Sequence, residues 1–254
     1  MDPLAFISTL ARDAGTLLRE RFDGPRTIEH KSPKDLVTDA DRASEALIVA
    51  AVRAAFPNAA ILGEEGGSYA GTSGERFIVD PLDGTSNYAH HYPLYCVSIG
   101  YERDGVLEAG AIYAPVLDEL FAARRGGGAT RNGVPIAVSR AERVADAMLC
   151  TGFVPGRFEE RNIREWTAAS RAALALRRDG SAALDLAGVA MGRFDAFWEW
   201  RLKPWDVAAG TLIVREAGGS VSSIDGSDFS IAEGSILASN GHLHAELTAV
   251  LAGA

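Results

Sequence analysis

Hydrophobic periodicity changes repeatedly along this 254-residue chain, and that alternation constrains its fold more than any other feature. Residues 4–22 carry apolar positions at helical spacing (Leu4, Ile7, Leu10, Ala11, Ala14, Leu17, Leu18), and residues 39–56 do the same. Thr38-Asp39-Ala40-Asp41 opens the second helix in the manner of a capping box, with Asp in the place usual for Glu or Gln. Phe77-Ile78-Val79 is a short buried strand. Tyr95–Tyr101 and Val106–Tyr113 are strands joined by the hairpin signal Asp104-Gly105. Leu120–Ala123 and Pro135–Val138 flank turn residues and extend a mostly antiparallel sheet.

After residue 145 the pattern becomes strand 148–153, helix 159–176, helix 182–191, strand 194–200 and helix 205–217. Strands 221–224 and 235–238 and a helix from His242 follow. Helices and strands thus mix in both halves, which predicts a layered α/β protein. Its expected lobes are residues 1–145, with the large sheet, and residues 146–254.

Charge and cysteine content exclude some classes of function. The formal net charge is −9, the wrong sign for a general nucleic-acid binder. A phosphorylated ligand stays open, because a bound divalent cation reverses the local sign. Two cysteines, Cys96 and Cys150, are too few for a disulfide scaffold, although one bridge between them stays open. The start lacks a basic region of the signal-peptide kind, and the most apolar stretch, 46–56, is too short to span a bilayer. The expectation is a cytoplasmic protein without membrane contact.

The chemistry concentrates in Ile78-Val79-Asp80-Pro81-Leu82-Asp83-Gly84-Thr85-Ser86-Asn87. A strand delivers Asp80, Pro81 stops its ladder, and Gly84 permits a tight turn before a short helix at Thr85. Two carboxylates on such a turn repel unless a hard cation such as Mg²⁺ lies between them. An Asp-x-x-Asp alone is more often a solvated turn; the full string is far more specific. Haloacid-dehalogenase phosphatases space their acids two apart, whereas Asp80 and Asp83 are three apart. Gly63-Glu64-Glu65-Gly66 adds acids at a strand end, and Trp205-Asp206-Val207-Ala208-Ala209-Gly210 puts Asp206 in the first turn of a helix. A polar turn and a charge–dipole contact would explain these two singly. Asp39-Ala40-Asp41 also matches the metal motif of some glycosyltransferases, but no nucleotide-binding pattern accompanies it.

These strings, together with Asp35-Leu36-Val37-Thr38-Asp39-Ala40-Asp41 and Gly180-Ser181-Ala182-Ala183, resemble the inositol monophosphatase family over nearly the whole chain. The resemblance implies an α-β-α-β-α sandwich, a homodimer, and lithium-sensitive hydrolysis of a phosphate monoester by water activated on two or three Mg²⁺ ions. It implies Glu64, Asp80 and the Leu82 carbonyl as ligands of one ion, and Asp80, Asp83 and Asp206 as ligands of a second. Glu64 would touch a third ion through water, and Asp41 and Thr85 would activate the attacking water. Gly84 and Thr85 would hold phosphate oxygens; Gly180, Ser181, Ala182 and Glu199, with Asp83 and Asp206, would face the rest of the substrate. His90, His91, Cys96 and Cys150 have no partner pattern for nucleophilic catalysis, and Trp198, Trp200 and Trp205 read as core or interface.

Inositol 1-phosphate is the expected substrate. Relatives on the same metal core act on fructose 1,6-bisphosphate, histidinol phosphate or 3′-phosphoadenosine 5′-phosphate. Arg201 and Lys203 would suit a second phosphate, or form a solvated basic pair. The alternative of another class is a regulatory binding protein that keeps the fold without the chemistry. The intact acid set opposes it, and the acidic balance opposes direct RNA binding.

Overall fold

The computed structural model describes residues 1–24, 27–32, 35–153 and 160–254. Among them the helices are α1 (Pro3–Arg21), α2 (Asp39–Ala55), α3 (Thr85–Ala89), α4 (Glu160–Ala172), α5 (Ala182–Ala190), α6 (Pro204–Glu216) and α7 (His244–Ala252). The strands before residue 136 are β1 (Ile28–Ser32), β2 (Asp35–Thr38), β3 (Ala60–Gly63), β4 (Gly67–Tyr69), β5 (Glu75–Asp83), β6 (Cys96–Arg103), β7 (Val106–Ala114), β8 (Glu119–Arg124), β9 (Gly128–Arg131) and β10 (Val134–Pro135). Those after it are β11 (Met148–Thr151), β12 (Ala175–Arg177), β13 (Ala196–Glu199), β14 (Ser220–Ser222) and β15 (Ile236–Ser239).

An eight-stranded sheet runs in the order β10-β9-β8-β7-β6-β5-β3-β4, and a five-stranded sheet in the order β12-β11-β13-β15-β14. The larger sheet is antiparallel except where β3 meets β5. Helices α1 and α2 cover one face of it, with Ile7, Leu18, Ile48 and Val52 fully buried against Phe77, Val79 and Ile99. Helices α5 and α6 fill the space between the sheets, and α4 and α7 cover the outer face of the smaller one. The layers therefore alternate α-β-α-β-α, as the motif resemblance implied.

Two glycines bring the middle layer close to the large sheet. A Cβ on Gly100 would lie 2.9 Å from Ala208 Cβ, and one on Gly110 2.9 Å from Ala209 O. Helix α6 thus rests almost directly on β6 and β7, and its first turn reaches the end of β5. The Asp104-Gly105 turn forms as expected, with both residues at positive φ (50° and 81°).

Several boundaries differ from the sequence reading. The expected helix 159–176 ends at Ala172, and Ala175–Arg177 pairs parallel to β11 instead; its first residue, 159, lies outside the described residues. The expected strands 135–138 and 221–224 shorten to Val134–Pro135 and Ser220–Ser222, and the last helix begins at His244. The β1–β2 hairpin was not expected. Cys96 and Cys150 are both free and buried, so they form no bridge. Among the described residues no helix is long and apolar enough to cross a membrane.

Candidate active site

Pro81 does not end the strand as expected: β5 continues through it as far as Asp83, and the string then turns at Gly84 into α3. The β5 ladder with β6 breaks between Asp80 and Asp83, where Pro81 and Leu82 bulge out. Gly84 takes a φ of 94°, and a Cβ there would lie 2.9 Å from Leu94 O, so this turn requires glycine. Asp80 is 1% exposed, and its Oδ1 accepts the Leu82 N–H at 3.0 Å.

Asp83 ends the same strand, β5, and Asp206 from α6 and Glu64 from the β3–β4 turn converge on Asp80. Asp83 Oδ2 accepts the Ser181 hydroxyl at 2.7 Å and the Ala183 N–H at 2.6 Å. Asp206 Oδ2 accepts the Lys203 N–H at 2.6 Å at the start of α6. Burial foremost, then Glu64, Asp83 and Asp206, pushes Asp80 well above the ordinary carboxylate range. Burial and Asp83 do the same to Asp206, and burial raises Asp83 against the hydrogen bonds from Ser181, Ala183, Ala182 and Gly84. The Leu82 N–H opposes the shift at Asp80, and the Lys203 N–H opposes it at Asp206.

Such a donor set suits a hard divalent cation, because all the donors are carboxylate or carbonyl oxygens. Among the described residues, however, no three His, Cys, Asp or Glu side chains are arranged to hold an ion as they stand. Asp80, Asp83 and Asp206 each turn one oxygen onto an N–H or O–H group. The Leu82 carbonyl is buried beside them, its oxygen 3.0 Å from Thr85 Oγ1.

Asp41 and Thr85 form the second expected pair. Asp41 is fully buried, and Thr85 Oγ1 lies 3.0 Å from its Oδ1. Thr38 fixes the other carboxylate oxygen, donating its N–H at 2.8 Å and its hydroxyl at 2.5 Å to Oδ2. The capping box read from the sequence is real, and it aims the carboxylate.

The turn Gly180–Ala183 faces Asp83, and Gly180 itself has a φ of 85°. Asn87 on α3 ties the turn down, donating to Asp179 O at 2.8 Å and Leu94 O at 2.7 Å. Glu199 ends β13 beside Gly152, where a Cβ would lie 2.0 Å from Glu199 Oε2. Burial, then Asp83, pushes Glu199 up to about 8, against the pull of Arg178. Arg201 and Lys203 are exposed. Cys96 Sγ lies 3.7 Å from Ser181 Oγ, and burial raises its thiol far above the usual range, so it packs rather than attacks. Trp198 is core, and Trp200 Nε1 donates to the buried Glu165 at 2.8 Å.

The sequence reading missed three acceptors and donors here. Ser44 donates to Pro81 O at 2.8 Å, and Glu45 accepts the N–H groups of Glu65 and Gly66. Asp185, 1% exposed, is raised well above the usual range by burial, then by Asp179 and Glu199. Ser44 and Glu45 fall three and four residues after Asp41, one turn along the same face, which was the available signal.

Known proteins share this chain's sequence pattern and fold. The family model described as "Inositol monophosphatase family" matches residues 2–253. The chain is 44% identical to an inositol-1-monophosphatase of Synechocystis over 221 residues, 86% of this chain and 77% of that one. It is also 44% identical to the Nus factor SuhB of Pseudomonas aeruginosa over 252 residues, 94% of this chain and 92% of that one. The crystal structure of the extragenic suppressor protein suhB from Bartonella henselae superposes with a TM-score of 0.95 at 39% identity, covering 97% of each chain. Fold and relatives together define a phosphoric monoester hydrolase. The chain belongs to the inositol monophosphatase family.

Proposed function

We propose that this enzyme hydrolyses a small polyol phosphate, inositol 1-phosphate first among them, in a Mg²⁺-dependent reaction. The observation that carries the proposal is the convergence of Asp80, Asp83 and Asp206, whose carboxyls burial pushes up, joined at Asp80 and Asp206 by the neighbouring acids, with Glu64 facing Asp80, beside the Asp41–Thr85 pair. Glu64, Asp80 and the Leu82 carbonyl would hold one ion, and Asp80, Asp83 and Asp206 another. Bound Mg²⁺ supplies Lewis-acid polarisation of the phosphoryl group and a more acidic water.

The chain's own residues supply orientation and proton transfer. Thr38 locks Asp41 Oδ2, leaving Oδ1 to accept the Thr85 proton. A water on Thr85 Oγ1 can pass a proton to that oxygen as the hydroxyl proton moves to Asp41. Gly84 and Thr85 would face the phosphate, and Gly180, Ser181, Ala182 and Glu199 the alcohol. At about 8, Glu199 is a mixture of donor and acceptor near neutral pH, suited to a hydroxyl group. In the same reading the lobes divide near residue 145, and the enzyme works as a cytoplasmic homodimer.

Phosphate release from a panel of esters, compared by kcat/KM, tests the substrate. Inositol 1-phosphate should lead, Mg²⁺ should be required and lithium should inhibit. Preference for a bisphosphate would favour fructose-bisphosphatase activity and a role for Arg201 and Lys203; preference for histidinol phosphate would favour that activity. Metal-independent turnover would defeat the mechanism. Gly152→Ala should drive the Glu199 carboxylate from its place and change relative kcat/KM among alcohols by about 10-fold. An unchanged substrate ranking would remove Glu199 from the alcohol pocket.

A further inference from the structure

The proposed metal donor Glu64 sits in a tight turn. Strands β3 and β4 pair antiparallel up to Gly63 and Gly67, leaving only Glu64, Glu65 and Gly66 to reverse the chain. The N–H groups of such a turn find no partner within the sheet ladder. Here one carboxylate from another element takes two of them. Glu45 Oε2 accepts the Glu65 N–H at 2.8 Å, and Oε1 accepts the Gly66 N–H. Glu45 is 4% exposed, so this anchor is built into the core.

The glycines around the turn make room for that carboxylate. A Cβ on Gly63 would lie 2.8 Å from Glu45 Oε2, and one on Gly66 2.5 Å from Oε1. The two glycines that bracket the Glu64-Glu65 pair thus leave room where Glu45 enters. The same helix α2 carries Asp41, bonded to Thr85, and Ser44, bonded to Pro81 O. Three residues within five positions thus reach both acidic loops: Ser44 and Asp41 hold the Asp80–Thr85 string, and Glu45 holds the Glu64 turn.

We infer that Glu45 is a positioning residue for metal binding, which fixes Glu64 by holding the two backbone N–H groups that follow it. The inference rests on the reading of Glu64 as a metal donor. A carboxylate is required at position 45 because both of its oxygens accept. Glutamine keeps the shape but puts an NH₂ group against one of the two N–H groups, so one bond is lost and its partner is repelled.

The test compares wild type, Glu45→Gln, Gly66→Ala and Glu64→Gln. Mg²⁺ affinity is read by isothermal titration, and the Mg²⁺ dependence of phosphate release by initial rates. Glu45→Gln should weaken Mg²⁺ binding by about 10–100-fold, the range for groups that orient metal ligands. Saturating Mg²⁺ should return kcat to within a few-fold of wild type, with substrate KM unchanged. A residue that merely stabilises the fold would lower the active fraction without moving the Mg²⁺ half-saturation point, and that result overturns the inference. Gly66→Ala attacks the same contact from the loop and should weaken Mg²⁺ binding likewise. If Glu45→Gln yields no folded protein, wild-type Mg²⁺ affinity in Gly66→Ala overturns the inference instead. Glu64→Gln separates the two levels. If it leaves Mg²⁺ affinity intact, the donor assignment itself is wrong; if it weakens binding while Glu45→Gln does not, only the positioning role fails.

Discussion

Asp83→Asn should lower kcat/KM by more than about 100-fold while the far-UV circular dichroism stays that of the wild type. Losing a group that merely orients a metal ligand already costs 10–100-fold, and Asp83 is proposed as a ligand itself. The fold should survive because the side-chain oxygen of asparagine can still accept from Ser181 and Ala183, which lie 2.7 and 2.6 Å from Asp83 Oδ2. The amide NH₂ then points toward the other acids, where it offers a proton and no lone pair. Since burial already raises Asp83 in the metal-free protein, removing its charge should leave the metal-free Tm equal or higher. What should vanish is the gain in Tm on adding Mg²⁺. Turnover within a few-fold of wild type would remove Asp83 from the site.

Glu199→Gln should produce the largest pH-dependent change in stability. The Glu199 carboxyl is pushed up to about 8 from 4.5, chiefly by burial. The folded protein therefore holds this proton over a range in which the unfolded chain has released it. Its contribution favours folding at low pH and is lost as pH rises from the ordinary carboxylate value through about 8. Glutamine has no proton to lose. In metal-free protein the variant should lie close to wild type near pH 5 and exceed it by about 4 kcal/mol at pH 9, roughly 8–16 °C in Tm. Thermal melts in a chelating buffer at the two pH values decide the matter. Parallel wild-type and variant curves would show that Glu199 is solvated and ordinary.

The sequence revealed the site more fully than the edges of the fold. The Asp80–Asn87 string was legible because its geometry is local: a strand, a glycine turn and a helix start follow one another without outside help, although Pro81 only interrupts the ladder where a stop was expected. Thr38 and Asp41 were legible for the same reason, although the cap turned out also to aim a carboxylate. Glu45 was not, since an acid on an amphipathic helix looks like any solvated acid until the loop it holds is known. The helix expected to run to 176 failed for a tertiary reason. Leu174 and Leu176 continue an apolar spacing, yet Leu174 is 72% exposed and Ala175–Arg177 form a ladder with β11. Gly100 and Gly110 gave no sign of their role, because a close approach depends on the element that arrives from the other half of the chain.

That approach has a consequence for synthesis. A ribosome extends the chain from its N-terminus, and Glu64, Asp80 and Asp83 emerge long before Ser181, Ala183 and Asp206. Until α6 settles onto Gly100 and Gly110, a nascent chain has an incomplete acidic cleft and an Asp83 without the partners that hold it. With the proposed ligand set, tight ion capture would therefore require both lobes. A ribosome-tethered chain ending before residue 200 should bind Mg²⁺ no better than an ordinary acidic surface does.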